Sequence, residues 1–180
     1  MRNAITKVPE PKNETVYSYA LGTEKGDSLY HQLTEMYQET IDIPLIIGGK
    51  EIRTGNTGKV TCPHEHGHVL ATYHKAGPKE IALAVESANK AWKEWSEWPW
   101  VDRAAVFLKA AELLVDPYRD ILNAATMLGQ SKNTYQAEID SACESIDFFR
   151  FNTHFMTEIY SDQPLSSSNI WNTVEYRPLE

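Results

Sequence analysis

Four side chains that can bind a metal alternate along one short segment of the sequence: Cys62, His64, His66 and His68. In a straight strand all four would point to the same face, and thiolate and imidazole are ligands that zinc accepts. Closed zinc sites, however, combine pairs of ligands from two separate segments. A proline and a glycine within this segment predict a turn that spoils the alternation. We therefore predict no metal site here.

The second cysteine, Cys143, is a weak candidate for nucleophilic chemistry. It lies beside Glu144 in a helical pattern, where a thiol packs as a small hydrophobic group and a neighbouring acid raises its pKa. The sequence also contains no Gly-x-Gly-x-x-Gly, Gly-x-x-x-x-Gly-Lys-Ser/Thr or Gly-x-Ser-x-Gly motif. These are the patterns that form phosphate cradles and nucleophile elbows.

Glu144 occupies an unusual place for an acid. At about 100° per residue, Phe148, Phe151 and Phe155 share one face of a helix, and Glu144 lies within about 40° of the centre of that face. A partly desolvated carboxylate gains most when an ammonium group replaces its lost hydration, which favours contact with a cationic ligand. The alternative is an ordinary solvated acid, since three more acids lie on the same side of the helix. They are Asp140, Asp147 and Glu158.

The composition is typical of a globular protein and excludes several other classes. The 180 residues carry 17 Lys and Arg against 25 Asp and Glu, a net charge of −8, which disfavours binding to nucleic acids and anionic membranes. No apolar run approaches the ~18 residues that a membrane helix needs, and two cysteines cannot form a disulfide framework. Because the N-terminus also lacks a signal-peptide core, we predict a cytoplasmic protein without a nucleic-acid or membrane partner.

The first part of the chain is predicted to consist of an arm, a helix and a small β unit. Residues 1–42 begin with a proline-containing extended arm and continue into an amphipathic helix over about 25–40, with Asp27 as its cap. Residues 43–75 change to short β-rich runs, with a hairpin turn at Gly48-Gly49. This segment predicts a small antiparallel β unit.

A helical layer is predicted over residues 76–161, followed by a loop and the start of a strand over 162–180. Four helices fill the layer, and a capping box of Asn133 and Gln136 opens the last of them. Their ends are marked by Pro99, Asp116-Pro117 and Gly129. In the first helix, apolar residues recur at intervals of three or four, which predicts one buried face. They are Ile81, Val85, Ala88, Trp92 and Trp95.

The last helix is apolar on two opposite faces. One is the phenylalanine face beside Glu144, and the other carries Ile139, Ala142, Ile146, Phe149, Met156 and Tyr160. Three shorter helices can cover only one of these faces, and a helix that is apolar on both sides belongs inside a sizeable structure. We therefore expect this chain to be part of a larger fold.

Several segments resemble the 1-pyrroline-5-carboxylate dehydrogenase family, the L-glutamate γ-semialdehyde dehydrogenases of the aldehyde dehydrogenase superfamily. The most specific is residues 137–152, with the sequence AEIDSACESIDFFRFN. Further similar segments are residues 63–68, 102–111, 127–132 and 172–180. The resemblance implies an α/β fold of the aldehyde dehydrogenase type, of which this fragment is mostly α-helical with a small antiparallel β unit.

The resemblance also implies a function for the whole protein: NAD-dependent oxidation of L-glutamate γ-semialdehyde to L-glutamate in proline catabolism, by a homo-oligomer. In this family the nucleophilic cysteine and the NAD-binding strands follow the position of Glu180. We therefore expect an N-terminal fragment that is inactive alone, without catalytic, cofactor-binding or metal-binding residues. One functional residue matches: Glu144 aligns with the family's glutamate that contacts the substrate's α-ammonium group. The alternative is a non-enzymatic helical interaction module.

Overall fold

The computed structural model describes residues 6–179, so the predictions for residues 1–5 and Glu180 lie outside the described part. Residues 6–20 form neither helix nor strand and lead into helix α1, Glu24–Gln38. The predicted cap, Asp27, is wrong: Thr23 caps this helix, and its Oγ1 accepts a hydrogen bond of 3.2 Å from the Gly26 amide. Asp27 lies inside the first turn, where an acid favours the positive end of the helix dipole.

Five short strands follow α1 and form two small sheets. They are β1 (Ile41–Ile43), β2 (Leu45–Ile47), β3 (Lys50–Ile52), β4 (Thr57–Cys62) and β5 (Glu65–His74). Strands β2 and β3 form the predicted antiparallel hairpin, with φ values of 58° and 75° at Gly48 and Gly49. Strand β5 pairs antiparallel with β4 on one side and parallel with β1 on the other. The sequence did not predict β1, because a parallel pairing over a long connection leaves no short-range turn signal.

The rest of the described chain is mainly helical. Its elements are α2 (Pro78–Glu97), α3 (Trp100–Val115), α4 (Arg119–Gln130), α5 (Thr134–Ala137), a π-helical segment (Glu138–Cys143) and α6 (Glu144–Ser161). The predicted capping box is confirmed: the Gln136 amide donates to Asn133 Oδ1 at 2.9 Å, and the Asn133 amide donates to Gln136 Oε1 at 3.1 Å. The predicted stop at Gly129 is wrong, since α4 continues to Gln130 and Ser131 adopts the left-handed conformation with φ of 56°.

The core of the described chain joins the sheet to the helices. Leu70 of β5, Cys62 of β4 and Leu128 of α4 are buried together, and α1 and β4 add Leu33, Met36 and Val60 around them. Helix α6 packs along α3, and the π-helical segment packs against α4. No helix among residues 6–179 is long and apolar enough to cross a membrane.

The predicted buried face of α2 is open to solvent in this chain. Ile81 and Val85 are 57% and 56% exposed, and no residue of α2 is buried. The pattern correctly identifies an apolar face, but nothing in residues 6–179 covers its first half. Near the other end of α2, Trp92 Nε1 donates a 2.9 Å hydrogen bond to the carbonyl of Pro178.

The last segment, residues 162–179, does not contain the predicted start of a strand. Instead it folds back on itself through Gln163, whose side chain exchanges hydrogen bonds of 3.1 and 2.8 Å with the backbone of Val174. Tyr176 stacks on Tyr160 of α6, with ring centroids 5.5 Å apart. A strand needs a pairing partner, and none lies beside residues 171–179 in the described chain.

Candidate functional site

Glu144 is the first residue of α6, and its side chain is exposed. Phe148 and Phe155, four and eleven residues later, are 60% and 47% exposed. Positions with these spacings share one helix face, so the carboxylate stands beside an open aromatic surface. Phe151 is half-buried, and its ring centroid lies 6.1 Å from that of Phe155. The structure thus brings together the residues that the helical pattern placed on one face.

A small apolar cavity of about 250 Å³ adjoins this surface between α3 and α6. Phe148, which is one turn from Glu144, is part of its wall. The lining residues are Phe107, Phe148, Phe149, Asn152, Thr153 and Met156. The site therefore combines an exposed carboxylate with apolar walls that suit the hydrocarbon part of a small ligand.

The π-helical segment ends immediately before Glu144. It interrupts what the sequence predicted to be one continuous helix, and three successive residues in it are buried: Ser141, Ala142 and Cys143. The first residue of the segment, Glu138, is fully buried as well. Single π turns inside α-helices occur frequently at functional sites.

Four residues donate nitrogen or hydroxyl hydrogen bonds to Glu138 in the interior, and Arg119 donates two of them. Its Oε1 accepts from the amide of Tyr17 at 2.8 Å and from the guanidinium of Arg119. Its Oε2 accepts from the Tyr19 hydroxyl and from Asn123 Nδ2, each at 2.8 Å. Burial by itself raises the pKa of this carboxyl, but the hydrogen bonds, led by Arg119, outweigh it and hold the pKa below its ordinary value of 4.5. Glu138 is therefore a buried anion at neutral pH.

Arg119 links Glu138 to the N-terminal arm. Its guanidinium donates to the carbonyl of Thr15 at 2.6 Å and to Glu14 Oε1 at 3.1 Å, and it lies 4.0 Å from the centroid of the Tyr17 ring. Burial lowers the pKa of Arg119, but the hydrogen bonds to Glu138 and Glu14 more than offset this and raise it. The side chain stays charged, and all of its partners except Glu138 and Cys143 belong to the arm.

The arm is also fastened to α6. Asp147 accepts hydrogen bonds from Asn13 Nδ2 at 2.8 Å and from the amide of Glu14 at 2.7 Å. Glu14 Oε2 in turn accepts from Arg150 at 2.7 Å. Sequence reasoning placed an extended arm here but identified none of these partners, because a carboxylate and a guanidinium far apart in sequence carry no spacing signal.

Cys143 is enclosed in the same interior. Its Sγ lies 3.5 Å from Arg119 and 3.8 Å from Glu138 Oε1. Burial, followed by the charge of Glu138, raises the pKa of this thiol to about 11. The thiol is protonated at neutral pH and therefore unsuited to attack a carbonyl.

The structure places His64 beside Cys62 but does not gather the cysteine and all three histidines into one site. Cys62 is fully buried, and Nε2 of His64 lies 3.2 Å from its Sγ. Nδ1 of His64 lies 2.8 Å from the hydroxyl of Ser131. His68 instead stacks on Tyr37 with ring centroids 4.1 Å apart, and His66 is exposed. Within residues 6–179, no three His, Cys, Asp or Glu side chains are placed to hold a metal ion.

The comparisons with known proteins agree with this architecture. The sequence model of the aldehyde dehydrogenase family matches residues 52–179. The chain therefore belongs to the aldehyde dehydrogenase family. The predicted fold, mostly helical with a small antiparallel β unit, is confirmed, with β1 as the parallel addition described above.

Individual relatives show which members of the family this chain is similar to. The chain is 46% identical over 179 residues to a delta-1-pyrroline-5-carboxylate dehydrogenase of Agaricus bisporus, covering 98% of this chain and 33% of that protein. It is 44% identical over 178 residues to a mitochondrial enzyme of the same name from Dictyostelium discoideum, covering 98% and 32%. The crystal structure of the Mycobacterium tuberculosis enzyme bound with NAD and cobalamin matches with a TM-score of 0.96 and 45% identity, covering 99% and 34%.

These matches confirm the resemblance to pyrroline-5-carboxylate dehydrogenases that the sequence segments indicated. The chain spans about a third of the length of the curated relatives it matches.

Proposed function

We propose that this chain is the N-terminal part of an NAD-dependent dehydrogenase that oxidises L-glutamate γ-semialdehyde to L-glutamate in proline catabolism. Its own contribution is a substrate contact: Glu144 binds the α-ammonium group. The observation that carries this role is the position of Glu144, an exposed carboxylate beside Phe148 at the start of α6. The similarity to enzymes named for this substrate supports the reaction class.

The chemistry of the substrate fits this surface. The semialdehyde carries an ammonium group, a carboxylate and a short hydrocarbon chain that ends in the aldehyde. A carboxylate with free hydrogen-bonding capacity attracts the ammonium, while aromatic side chains contact the methylene groups without competing for the charge. An exposed carboxylate and exposed aromatic rings are both present on α6. Closure of the site would strengthen the charge pair by excluding water.

The described residues do not fit a NAD site or the covalent step of the reaction. The sequence lacks a glycine-rich phosphate cradle, and the buried Cys143 thiol is protonated. We propose that the other two thirds of the whole protein supply these groups and cover the exposed apolar residues of α2 and α6, among them Ile81, Val85 and Phe148. On this proposal the 180-residue chain is inactive alone.

The test is steady-state kinetics of the whole protein that contains this chain, with NADH formation as the signal. Glu144→Gln keeps the shape of the side chain and removes its charge. A hydrogen bond to a charged group contributes roughly 1.5–3 kcal/mol, so KM for the semialdehyde should rise about tenfold or more, with little change in kcat. For 5-oxopentanoate, which has no α-ammonium group, KM should stay the same.

The matched control is Glu158→Gln, on the same helix. Glu158 is also exposed, and its carboxylate lies 3.5 Å from Nε2 of His154. Its substitution should leave both substrates unaffected. The proposed role of Glu144 is refuted if Glu144→Gln and Glu158→Gln behave alike. A whole protein that forms no NADH from the semialdehyde would refute the reaction and favour the interaction module, for which the exposed face of Phe148 and Phe155 would be the binding surface.

We propose further that the whole protein is a homo-oligomer located in the cytoplasm. The location rests on the two cysteines, both of which are unpaired and buried, as is usual in a reducing compartment. Mitochondria are the competing location, since the Dictyostelium relative is named mitochondrial. Cell fractionation distinguishes the two, and light scattering of the purified whole protein gives the subunit number.

A further inference from the structure

Helix α4 presents a polar stripe to the π-helical segment. Arg119, Asn123 and Thr126 are spaced by four and three residues, so they lie on one face of α4. All three are buried, and all three bond to side chains of the π-helical segment. Arg119 and Asn123 donate to Glu138, and Thr126 Oγ1 donates to the hydroxyl of Ser141 at 2.8 Å.

Arg119 reaches both ends of the π-helical segment. Its Nη2 donates to Glu138, the first residue, and lies 3.5 Å from the sulfur of Cys143, the last residue. The next residue along the chain is Glu144. The Cys143 sulfur also lies 3.8 Å from Glu138 Oε1, so the first and last residues of the segment are close to each other as well as to Arg119. One buried guanidinium therefore spans the whole turn that precedes the proposed substrate contact.

The π turn determines the direction in which Glu144 points. A π turn holds about one residue more than an α turn, so every residue after it is rotated by about 100° relative to an uninterrupted α-helix. Without the π turn, Glu144 would be displaced around the helix by that angle. Such turns are rare, and in this one Glu138 and Ser141 accept hydrogen bonds from the polar side chains of α4.

We propose that Arg119 and Glu138 are positioning residues: by holding the π turn, they orient the Glu144 carboxylate toward the substrate. This inference rests on the proposed function of Glu144. It assigns a role in substrate binding to a buried ion pair that cannot itself reach the ligand, because Glu138 is fully buried and its acceptor positions are occupied by residues of α4 and the arm.

The test is a double-mutant cycle in the whole protein, with KM for the semialdehyde as the readout. Glu138→Gln preserves the size of the side chain and weakens its hold on Arg119. KM should rise about threefold to tenfold, a coupling in the range measured for contacting residues. In the Glu144→Gln background, the same Glu138→Gln substitution should change KM by less than about twofold, because the group it orients is already gone.

Two further measurements separate positioning from general damage. KM and kcat for 5-oxopentanoate should stay within about twofold of the parent in Glu138→Gln, whereas a merely structural defect would impair both substrates. The matched control is Asp120→Asn, which removes a carboxylate from the same helix α4 that accepts a 2.6 Å hydrogen bond from the Ser28 hydroxyl of α1. It should leave KM for the semialdehyde unchanged. Thr126→Val, a milder perturbation of the same turn, should raise KM about twofold to threefold.

The outcomes also distinguish this inference from the proposal on which it rests. If Glu144→Gln does not raise KM, the proposed role of Glu144 fails first. The positioning role is overturned if Glu144→Gln raises KM and Glu138→Gln does not. It is also overturned if Glu138→Gln raises KM equally in both backgrounds. In either case the proposed role of Glu144 in substrate binding stands.

Discussion

Substitution of Arg119 by methionine should strongly destabilise the chain, because it leaves the buried carboxylate of Glu138 without its counter-charge. Glu138 would keep the neutral donors of Tyr17, Tyr19 and Asn123, and the longer contact with the Cys143 thiol. Removing one partner of a buried ion pair costs about 3–5 kcal/mol, and the remaining donors favour the lower end of that range. We therefore expect the free energy of unfolding to fall by about 3 kcal/mol, measured by urea unfolding with far-UV circular dichroism.

The double variant, Arg119→Met with Glu138→Gln, provides the control. It removes both charges. Its loss in free energy of unfolding should therefore be smaller than the sum of the losses of the two single variants, by at least about 1 kcal/mol. A loss below about 1 kcal/mol for Arg119→Met, or strict additivity in the double variant, would refute the view that this pair holds α4, the arm and the π-helical segment together.

The pH dependence gives a second check on the same pair. In the parent chain the pKa of Glu138 lies below 4.5, so its contribution to stability is complete above that value and is lost as the pH falls through the native pKa. In Arg119→Met, burial without the guanidinium should raise that pKa. The buried charge then costs stability at neutral pH, and protonation relieves the cost. The stability gap between parent and variant should therefore narrow on acidification, and a gap that is constant or widens would contradict this assignment.

Three further expectations follow from other parts of the molecule. Because the pKa of Cys143 is raised to about 11, iodoacetamide should not modify this thiol in the native chain at neutral pH, and rapid labelling detected by mass spectrometry would contradict its burial. A Cβ at Gly58 would lie 2.5 Å from Cζ at the outer end of the Tyr73 side chain, which is exposed and can move aside. Gly58→Ala should therefore lower the free energy of unfolding by no more than about 1 kcal/mol, and a larger loss in thermal unfolding would contradict a displaceable ring. The isolated chain should bind a hydrophobic dye through exposed side chains such as Phe148 and Phe155, and absence of dye fluorescence would count against an open apolar surface.

The elements that were predicted correctly are those whose signals are local. The Gly48-Gly49 turn and the Asn133 capping box need only a few neighbouring residues, and both are present. The phenylalanine face beside Glu144 was also predicted, because its members all lie after the π turn and share one α-helical phase. Local chemistry thus determined most of the secondary structure and the surroundings of the candidate site residue.

The parts that were not predicted depend on distant contacts. Glu138 is 19 residues from Arg119 and 121 residues from Tyr17, and no periodicity connects such groups. No periodicity marks the π turn either, so the helical pattern predicts one continuous helix where the structure has a π-helical segment. The prolines of the arm predicted an extended chain but could not show that the carboxylate of Glu14 pairs with Arg119, which is buried, and Arg150, which is half-buried.

The error on α2 has a different origin. The spacing of apolar residues along α2 correctly identifies an apolar face that includes Ile81 and Val85. Spacing alone, however, does not show which part of a protein covers that face. The same applies to the phenylalanine face of α6, where Phe148 and Phe155 are left exposed by the described residues. Both faces are consistent with the proposal that the whole protein continues over them.

The most direct test of the proposed function is a crystal structure of the whole protein with the product, L-glutamate, bound. We expect the α-ammonium nitrogen to lie about 2.7–3.2 Å from a carboxylate oxygen of Glu144, the distance of a charge-assisted hydrogen bond. The π turn should be retained, with Arg119 bonded to Glu138. Glutamate bound with its ammonium nitrogen more than about 5 Å from Glu144, and paired with another acid, would contradict the role assigned to this residue.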